Sequence, residues 1–112
     1  MNSFVKMAVS TGVGNPHLLI DLESLCRNIE YLCSEAGDKK IRIATKSIRS
    51  LEMIDFIAKL LKDKFCGLMA YDLREAIWLA NNGFEDVLVG YPHFDQDSLL
   101  MISNDERLKQ QI

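Results

Sequence analysis

Residues 41–71 read IRIATKSIRSLEMIDFIAKLLKDKFCGLMAY, and this stretch decides the fold. It begins with a short β-branched segment, residues 41–45, and ends with a continuous apolar segment, residues 65–71. Between them, over about 50–62, apolar residues recur at the three- and four-residue spacing of an amphipathic helix. Strands that are apolar throughout are typical of parallel sheets covered by helices. The stretch therefore predicts a strand, a helix and a second, parallel strand.

The same alternation continues on the N-terminal side. Leu18–Ile20 is a short apolar run that predicts a strand, and residues 21–36 follow with helical periodicity. Asp21 is placed to cap that helix, because its carboxylate can accept the unpaired N–H groups of the first turn. Residues 1–16 end in turn-forming residue types, so they are predicted to form a leader ahead of the folded part.

On the C-terminal side, two more helices and one more strand are predicted. Asp72 and Glu75 form a capping-box pattern at the start of a helix that ends near Gly83. Val87–Val89 predicts a strand, and residues 95–102 predict a further helix. The full order alternates strand and helix four times, which predicts an α/β fold with right-handed crossovers.

Four strand–helix units are too few for a closed barrel, which takes eight strands and typically about 250 residues. The chain has 112 residues. An open sheet of four strands is feasible at this length, but its core would be thin. Residues 110–112 have the pattern of an entry into another strand. We therefore expect that the chain is truncated.

Composition indicates which classes of protein are excluded. The formal net charge is −3 and no basic run is present, which argues against a nucleic-acid partner. No apolar run approaches the roughly 18 to 20 residues of a membrane helix. The 3 cysteines, Cys26, Cys33 and Cys66, form no CxxC pair and are predicted to be buried thiols of a cytoplasmic protein. No metal site is predicted, since neither His17 nor His93 has a second ligand at metal spacing.

Lys46 is the candidate catalytic residue, because it directly follows the strand of residues 41–45. In parallel α/β folds, reactive groups collect where the strands end. Partial burial and nearby cations such as Arg42 or Arg49 would make this amine a better Schiff-base nucleophile. The alternative is that Lys46 is a solvated lysine at a strand edge. Ser50, four residues later, is expected to cap the next helix. Tyr71, Asp72, Tyr91 and His93 are predicted to lie at the same rim as Lys46.

Four short motifs occur in order along residues 14–92. They are the runs Pro16–Leu22 with Asn28-Ile29, Arg42–Ser47, Gly67–Tyr71 with Glu75-Ala76 and Asn82–Phe84, and Asp86–Pro92. In order and spacing they resemble the alanine racemase N-terminal domain superfamily of pyridoxal-phosphate enzymes. The branch of D-threonine aldolase and D-serine dehydratase is the most similar. In that branch, a basic strand ends in the lysine that binds the cofactor. The corresponding segment here would be Arg42–Ser47, with Lys46 as the cofactor lysine.

This resemblance implies a fold-type III enzyme, whose barrel binds pyridoxal 5'-phosphate and is followed by a C-terminal β domain, usually in a homodimer. Residues 17–112 would be the N-terminal part of a (β/α)8 TIM-type barrel. Lys46 would form the Schiff base and then act at the α-carbon of a small, often D-, amino acid. Arg42 would help to bind or tune the cofactor. The reaction stays open between racemase, aldolase and lyase in the complete protein, and residues 1–112 alone are expected to be inactive. The alternative is a non-catalytic barrel that binds pyridoxal phosphate.

Overall fold

The structure, a computed structural model, describes Lys6, Ser10 and residues 18–112. The predicted leader, apart from those two residues, and His17 lie outside the described part of the chain. The helices are α1 (Leu22–Glu35), α2 (Leu51–Leu61), α3 (Leu73–Asn81), α4 (Gln96–Asn104) and α5 (Glu106–Gln111). The strands are β1 (Ile41–Ala44), β2 (Phe65–Ala70) and β3 (Val87–Val89), with short 3-10 turns at Thr45–Ser47 and Lys62–Lys64.

The three strands form one parallel sheet in the order β1-β2-β3. Helix α2 connects β1 to β2, and α3 connects β2 to β3. The α/β class and the parallel pairing predicted from residues 41–71 are therefore confirmed. Strand β2 lies in the centre, so β1 and β3 each have one partner within the described sheet.

Two predicted strand segments are wrong. Leu18, Leu19 and Ile20 pair with no strand in the described part of the chain, and they are 88%, 45% and 41% exposed. A three-residue apolar run is an ambiguous signal, because it offers few ladder hydrogen bonds and no periodicity. Residues 110–111 belong to α5, whose N-cap Asp105 accepts hydrogen bonds from two backbone N–H groups of the first turn.

The helices cover one face of the sheet. Ile43, Leu68 and Val87 are in register on that face, and they pack with Ile54 of α2 and Leu79 of α3 in one buried cluster. Burying side chains of this size is the main favourable contribution to folding. The core thus lies between the helices and one side of the sheet.

The opposite face of the sheet is less well covered by the described residues. Ala44, Met69 and Leu88 are in register there, and Leu88 is 51% exposed. The apolar pattern of the strands had indicated burial on both faces, and within residues 18–112 only one face is buried by helices.

The three cysteines are free, as predicted, but they are half-buried rather than fully buried. Among the residues that the structure describes, no helix has both the length and the apolar character needed to cross a membrane.

Candidate functional site

The candidate site lies at the carboxyl ends of the three strands. Lys46 is in the 3-10 turn that follows β1, Tyr71 follows β2, and Tyr91 comes two residues after β3. Parallel strands place these ends at one edge of the sheet, where ligands bind in open α/β folds. The prediction that Lys46, Tyr71 and Tyr91 lie at the same edge of the sheet is confirmed.

A cavity of about 130 Å³ opens between these three strand ends. Its lining consists of Ala44, Lys46, Met69, Ala70, Tyr71, Gly90 and Tyr91. Small-molecule sites usually measure ~300–1,000 Å³. The cavity is therefore large enough for a reactive end of a ligand rather than for a whole cofactor.

Two tyrosine rings form one side of the cavity. The ring centroids of Tyr71 and Tyr91 are 5.5 Å apart and the rings are inclined by 61°, an edge-to-face arrangement. Such pairs contribute about 0.5–1.5 kcal/mol beyond the area they bury. The Nε2 atom of His93 lies 2.9 Å from the Tyr71 carbonyl oxygen, so the loop after β3 is joined to the loop after β2.

The side chain of Lys46 is exposed, and its ammonium group forms no hydrogen bond or ion pair with any residue of the described chain. Its carbonyl oxygen accepts a hydrogen bond from Arg49 Nε at 3.2 Å. By contrast, the Lys59 ammonium is paired with Asp55 at 2.5 Å on α2. Lys46 thus lines the cavity, and its ammonium group has no partner among the described residues.

Thr45, the residue before Lys46, is completely buried. Its Oγ1 lies 2.7 Å from Glu75 Oε1 and 3.2 Å from the Met69 carbonyl oxygen. The other carboxylate oxygen of Glu75 accepts a hydrogen bond from the Tyr71 N–H at 2.8 Å. Glu75 therefore connects the turn that carries Lys46 to the loop that carries Tyr71.

The sequence predicted Glu75 only as part of a capping box with Asp72. The first half of that prediction is confirmed, because Asp72 accepts a hydrogen bond from the Glu75 N–H at 2.8 Å. The Glu75 side chain reaches back to Tyr71, one residue before the cap, and to Thr45. The Thr45 contact joins residues 30 positions apart, and the only local signal was a threonine next to Lys46.

Arg42 lies on the same sheet face as Ala44, since side chains alternate along a strand. Its Nη2 forms an ion pair with Asp86 Oδ1 at 2.8 Å, and its Nη1 donates to the carbonyl oxygens of Asp86 and Leu68 at 2.6 Å and 3.0 Å. The guanidinium thereby joins β1, β2 and the residue before β3. Its predicted role toward a cofactor stays a prediction.

A second ion pair connects the loops at this edge. Arg74 Nε donates to Asp95 Oδ2 at 2.8 Å, and the Ser98 hydroxyl donates to the same oxygen at 2.9 Å. The hydrogen bond from Arg74, followed by that from Ser98, lowers the pKa of Asp95 below its ordinary value. The start of α3 is thus connected to the start of α4.

Within the described residues, no group of three histidine, cysteine or acidic side chains is arranged to hold a metal ion. Comparison with known proteins found no match to this chain among protein-family models, curated proteins or solved structures.

Proposed function

We propose that this chain is the N-terminal portion of a pyridoxal-phosphate-dependent enzyme and that Lys46 is the lysine that binds the cofactor. The observation that carries the proposal is that Lys46 lines a cavity at the ends of three parallel strands while its ammonium group has no partner among the described residues. A covalent lysine must be able to lose its proton and reach an aldehyde, and an ion-paired lysine does neither easily. The motif order of residues 14–92 adds support from the sequence.

The cavity suits one end of this cofactor. Its apolar base, formed by Ala44 and Met69, and its two tyrosine rings suit a flat aromatic aldehyde. Among the described residues, Lys46 is the only cationic one in the lining, so the phosphate group would need to be bound by other residues. The described residues therefore fit the aldehyde end of pyridoxal phosphate.

When bound, pyridoxal phosphate supplies an electron sink that stabilises negative charge at the substrate α-carbon. Lys46 would hold the cofactor in place and, once released from it, would move a proton at that carbon. The substrate would be a small, often D-, amino acid, and the reaction a racemisation, an aldol cleavage or a lyase reaction.

The same proposal extends to the fold. The sheet would be part of a (β/α)8 barrel, in which the face that carries Ala44, Met69 and Leu88 would be turned to the barrel interior. The complete protein would be a homodimer, as the resemblance implies. Three free cysteines favour a reducing compartment, so we place the protein in the cytoplasm.

Borohydride trapping tests the lysine assignment. The purified protein is mixed with pyridoxal phosphate and reduced, which converts a reversible lysine–aldehyde linkage into a stable amine, and the labelled peptide is identified by mass spectrometry. We expect the label on Lys46, and we expect Lys46→Arg to remove it together with the absorbance near the visible edge. Lys59, held by Asp55, is the internal control. Equal labelling of Lys59 and Lys46 would contradict the assignment.

The same variants, made in the complete protein, separate the enzyme from its alternative. Incubation with individual D- and L-amino acids, followed by chiral chromatography and aldehyde detection, measures racemisation and cleavage. Turnover that disappears in Lys46→Arg supports an enzyme. In the complete protein, labelling of Lys46 without any turnover supports the non-catalytic pyridoxal-phosphate-binding protein. Residues 1–112 alone are expected to be inactive in either case.

A further inference from the structure

Three loops at the carboxyl edge of the sheet are connected through Glu75 and Tyr71. Glu75 accepts hydrogen bonds from the Thr45 hydroxyl after β1 and from the Tyr71 N–H after β2. Tyr71 in turn contacts His93 and Tyr91 of the loop after β3. We propose that Glu75 is the positioning residue that holds Lys46 at the cavity, an inference that rests on the proposed function of Lys46.

Thr45 transmits this constraint to Lys46. Its side chain is fully buried, and its carbonyl oxygen accepts hydrogen bonds from the N–H groups of Ile48 at 2.9 Å and Arg49 at 3.1 Å. Both the side chain and the main chain of Thr45 are therefore fixed. Lys46 is the next residue, so the direction in which its side chain leaves the backbone is fixed with them.

The hydrogen-bond donors available at Thr45 and at position 75 indicate that the shape of the Glu75 side chain, rather than its charge, is what keeps the connection. The Thr45 hydroxyl has one hydrogen, yet it lies close to two acceptors, Glu75 Oε1 and the Met69 carbonyl oxygen. A glutamine at position 75 could donate to Thr45 Oγ1 through its amide and still accept from the Tyr71 N–H. The Thr45 hydrogen would then serve Met69. Glu75→Gln is therefore expected to keep the connection, and Glu75→Met to lose it.

The position of the Lys46 side chain affects the rate at which it can form a covalent bond. A misplacement of about 1 Å, even when caused by a residue outside the reacting atoms, can slow a reaction by about 100-fold. Among the described residues, the Glu75 carboxylate forms no hydrogen bond with the Lys46 ammonium, and Tyr71, through its N–H, is the one cavity-lining residue to which it is hydrogen-bonded. Its effect on Lys46 therefore acts through Thr45.

The experiment compares Glu75→Gln and Glu75→Met with the unaltered protein by two measurements. The first requires no cofactor: nuclear Overhauser effects between the Lys46 side chain and the methyl group of Met69, which line the same cavity. The second is the rate of borohydride trapping with pyridoxal phosphate. We expect Glu75→Gln to retain both signals within about twofold and Glu75→Met to lose the Overhauser effect and slow trapping about tenfold or more.

Two further changes separate positioning from stability. Ser98→Ala removes another buried hydroxyl–carboxylate hydrogen bond, the 2.9 Å contact to Asp95, and is expected to lower stability without changing either signal. If Glu75→Met does not fold, Thr45→Val and Thr45→Ser replace it: valine keeps the shape without the hydroxyl and should lose both signals, whereas serine should keep them.

The outcomes decide the inference directly. It is overturned if Glu75→Met and Thr45→Val keep the Lys46–Met69 Overhauser effect, if Glu75→Gln behaves as Glu75→Met does, or if the unaltered protein lacks that effect. Failure of trapping in the unaltered protein, with the Overhauser pattern as expected, refutes the cofactor assignment of Lys46 and leaves the positioning by Glu75 supported.

Discussion

Gly67 is the residue at which a single methyl group should disturb the sheet most. Its φ is +103°, in a region that side-chain-bearing residues rarely adopt, and it lies where the register between β1 and β2 shifts. An added Cβ would lie 2.1 Å from the Asp86 carbonyl oxygen and 2.8 Å from Arg42 Nη1. Gly67→Ala would therefore push apart the groups that join β1 to the start of β3.

The expected cost has two parts. Backbone strain at a positive φ costs about 1–2 kcal/mol for a residue with a Cβ. Displacing the Arg42 guanidinium from Asp86 weakens hydrogen bonds to a charged group, which contribute about 1.5–3 kcal/mol when they are buried. The Arg42 side chain is 26% exposed and that of Asp86 65%, so we take the lower end of that range. The free energy of unfolding should fall by at least about 3 kcal/mol, because moving the Asp86 carbonyl oxygen, 2.1 Å from the added Cβ, adds to these two parts.

Gly83 provides the matched control, because its φ of +89° is similar but an added Cβ would meet no atom within 4 Å. Gly83→Ala should therefore cost only the strain, about 1–2 kcal/mol. Urea denaturation followed by circular dichroism measures both variants against the unaltered protein. If the two substitutions destabilise the protein equally, the close approach of Arg42 and Asp86 at Gly67 contributes nothing and the reasoning is refuted.

Two further predictions concern stability. The pKa of Asp95 is lowered in the folded state, chiefly by the hydrogen bond from Arg74. The ionised Asp95 carboxylate therefore contributes fully to folding stability above its ordinary pKa of 3.8, and this contribution is lost as the pH falls through the lowered pKa of the folded state. Asp95→Asn should flatten the dependence of urea midpoints on pH in that acidic range, and an unchanged slope would contradict this. Ile54 is 1% exposed between the helices and the sheet. Ile54→Ala should lower the free energy of unfolding by about 2–5 kcal/mol, and Ile54→Val by about 0.5–1.5 kcal/mol, in the same denaturation assay.

Features determined by neighbouring residues were predictable from the sequence. Asp21, Ser50 and Asp72 were each expected to cap a helix, and each accepts a hydrogen bond from the backbone N–H three residues later. The helical periodicity and the short strands also depend on residues a few positions apart. These local signals were sufficient to predict the α/β class and the place of Lys46 at the end of a strand.

Features that depend on the register of the sheet were not predictable. Arg42 and Asp86 are 44 positions apart, and Thr45 and Glu75 are 30 positions apart. A one-residue shift in strand pairing would turn Arg42 away from Asp86, because side chains alternate between the two faces. For the same reason the run Leu18–Ile20 could not be assigned from composition, since whether it pairs depends on a partner elsewhere in the fold.

Arg42 and Lys46, both predicted as site residues, differ in how their charges are satisfied. The Arg42 guanidinium makes hydrogen bonds to a carboxylate and two carbonyl oxygens, so binding a ligand would require breaking contacts that hold the sheet together. The Lys46 ammonium has no such contacts among residues 18–112, so binding a ligand costs no internal interaction. Arg42 therefore acts as a structural residue of β1, and the roles of Arg42 and Lys46 toward a cofactor stay predictions.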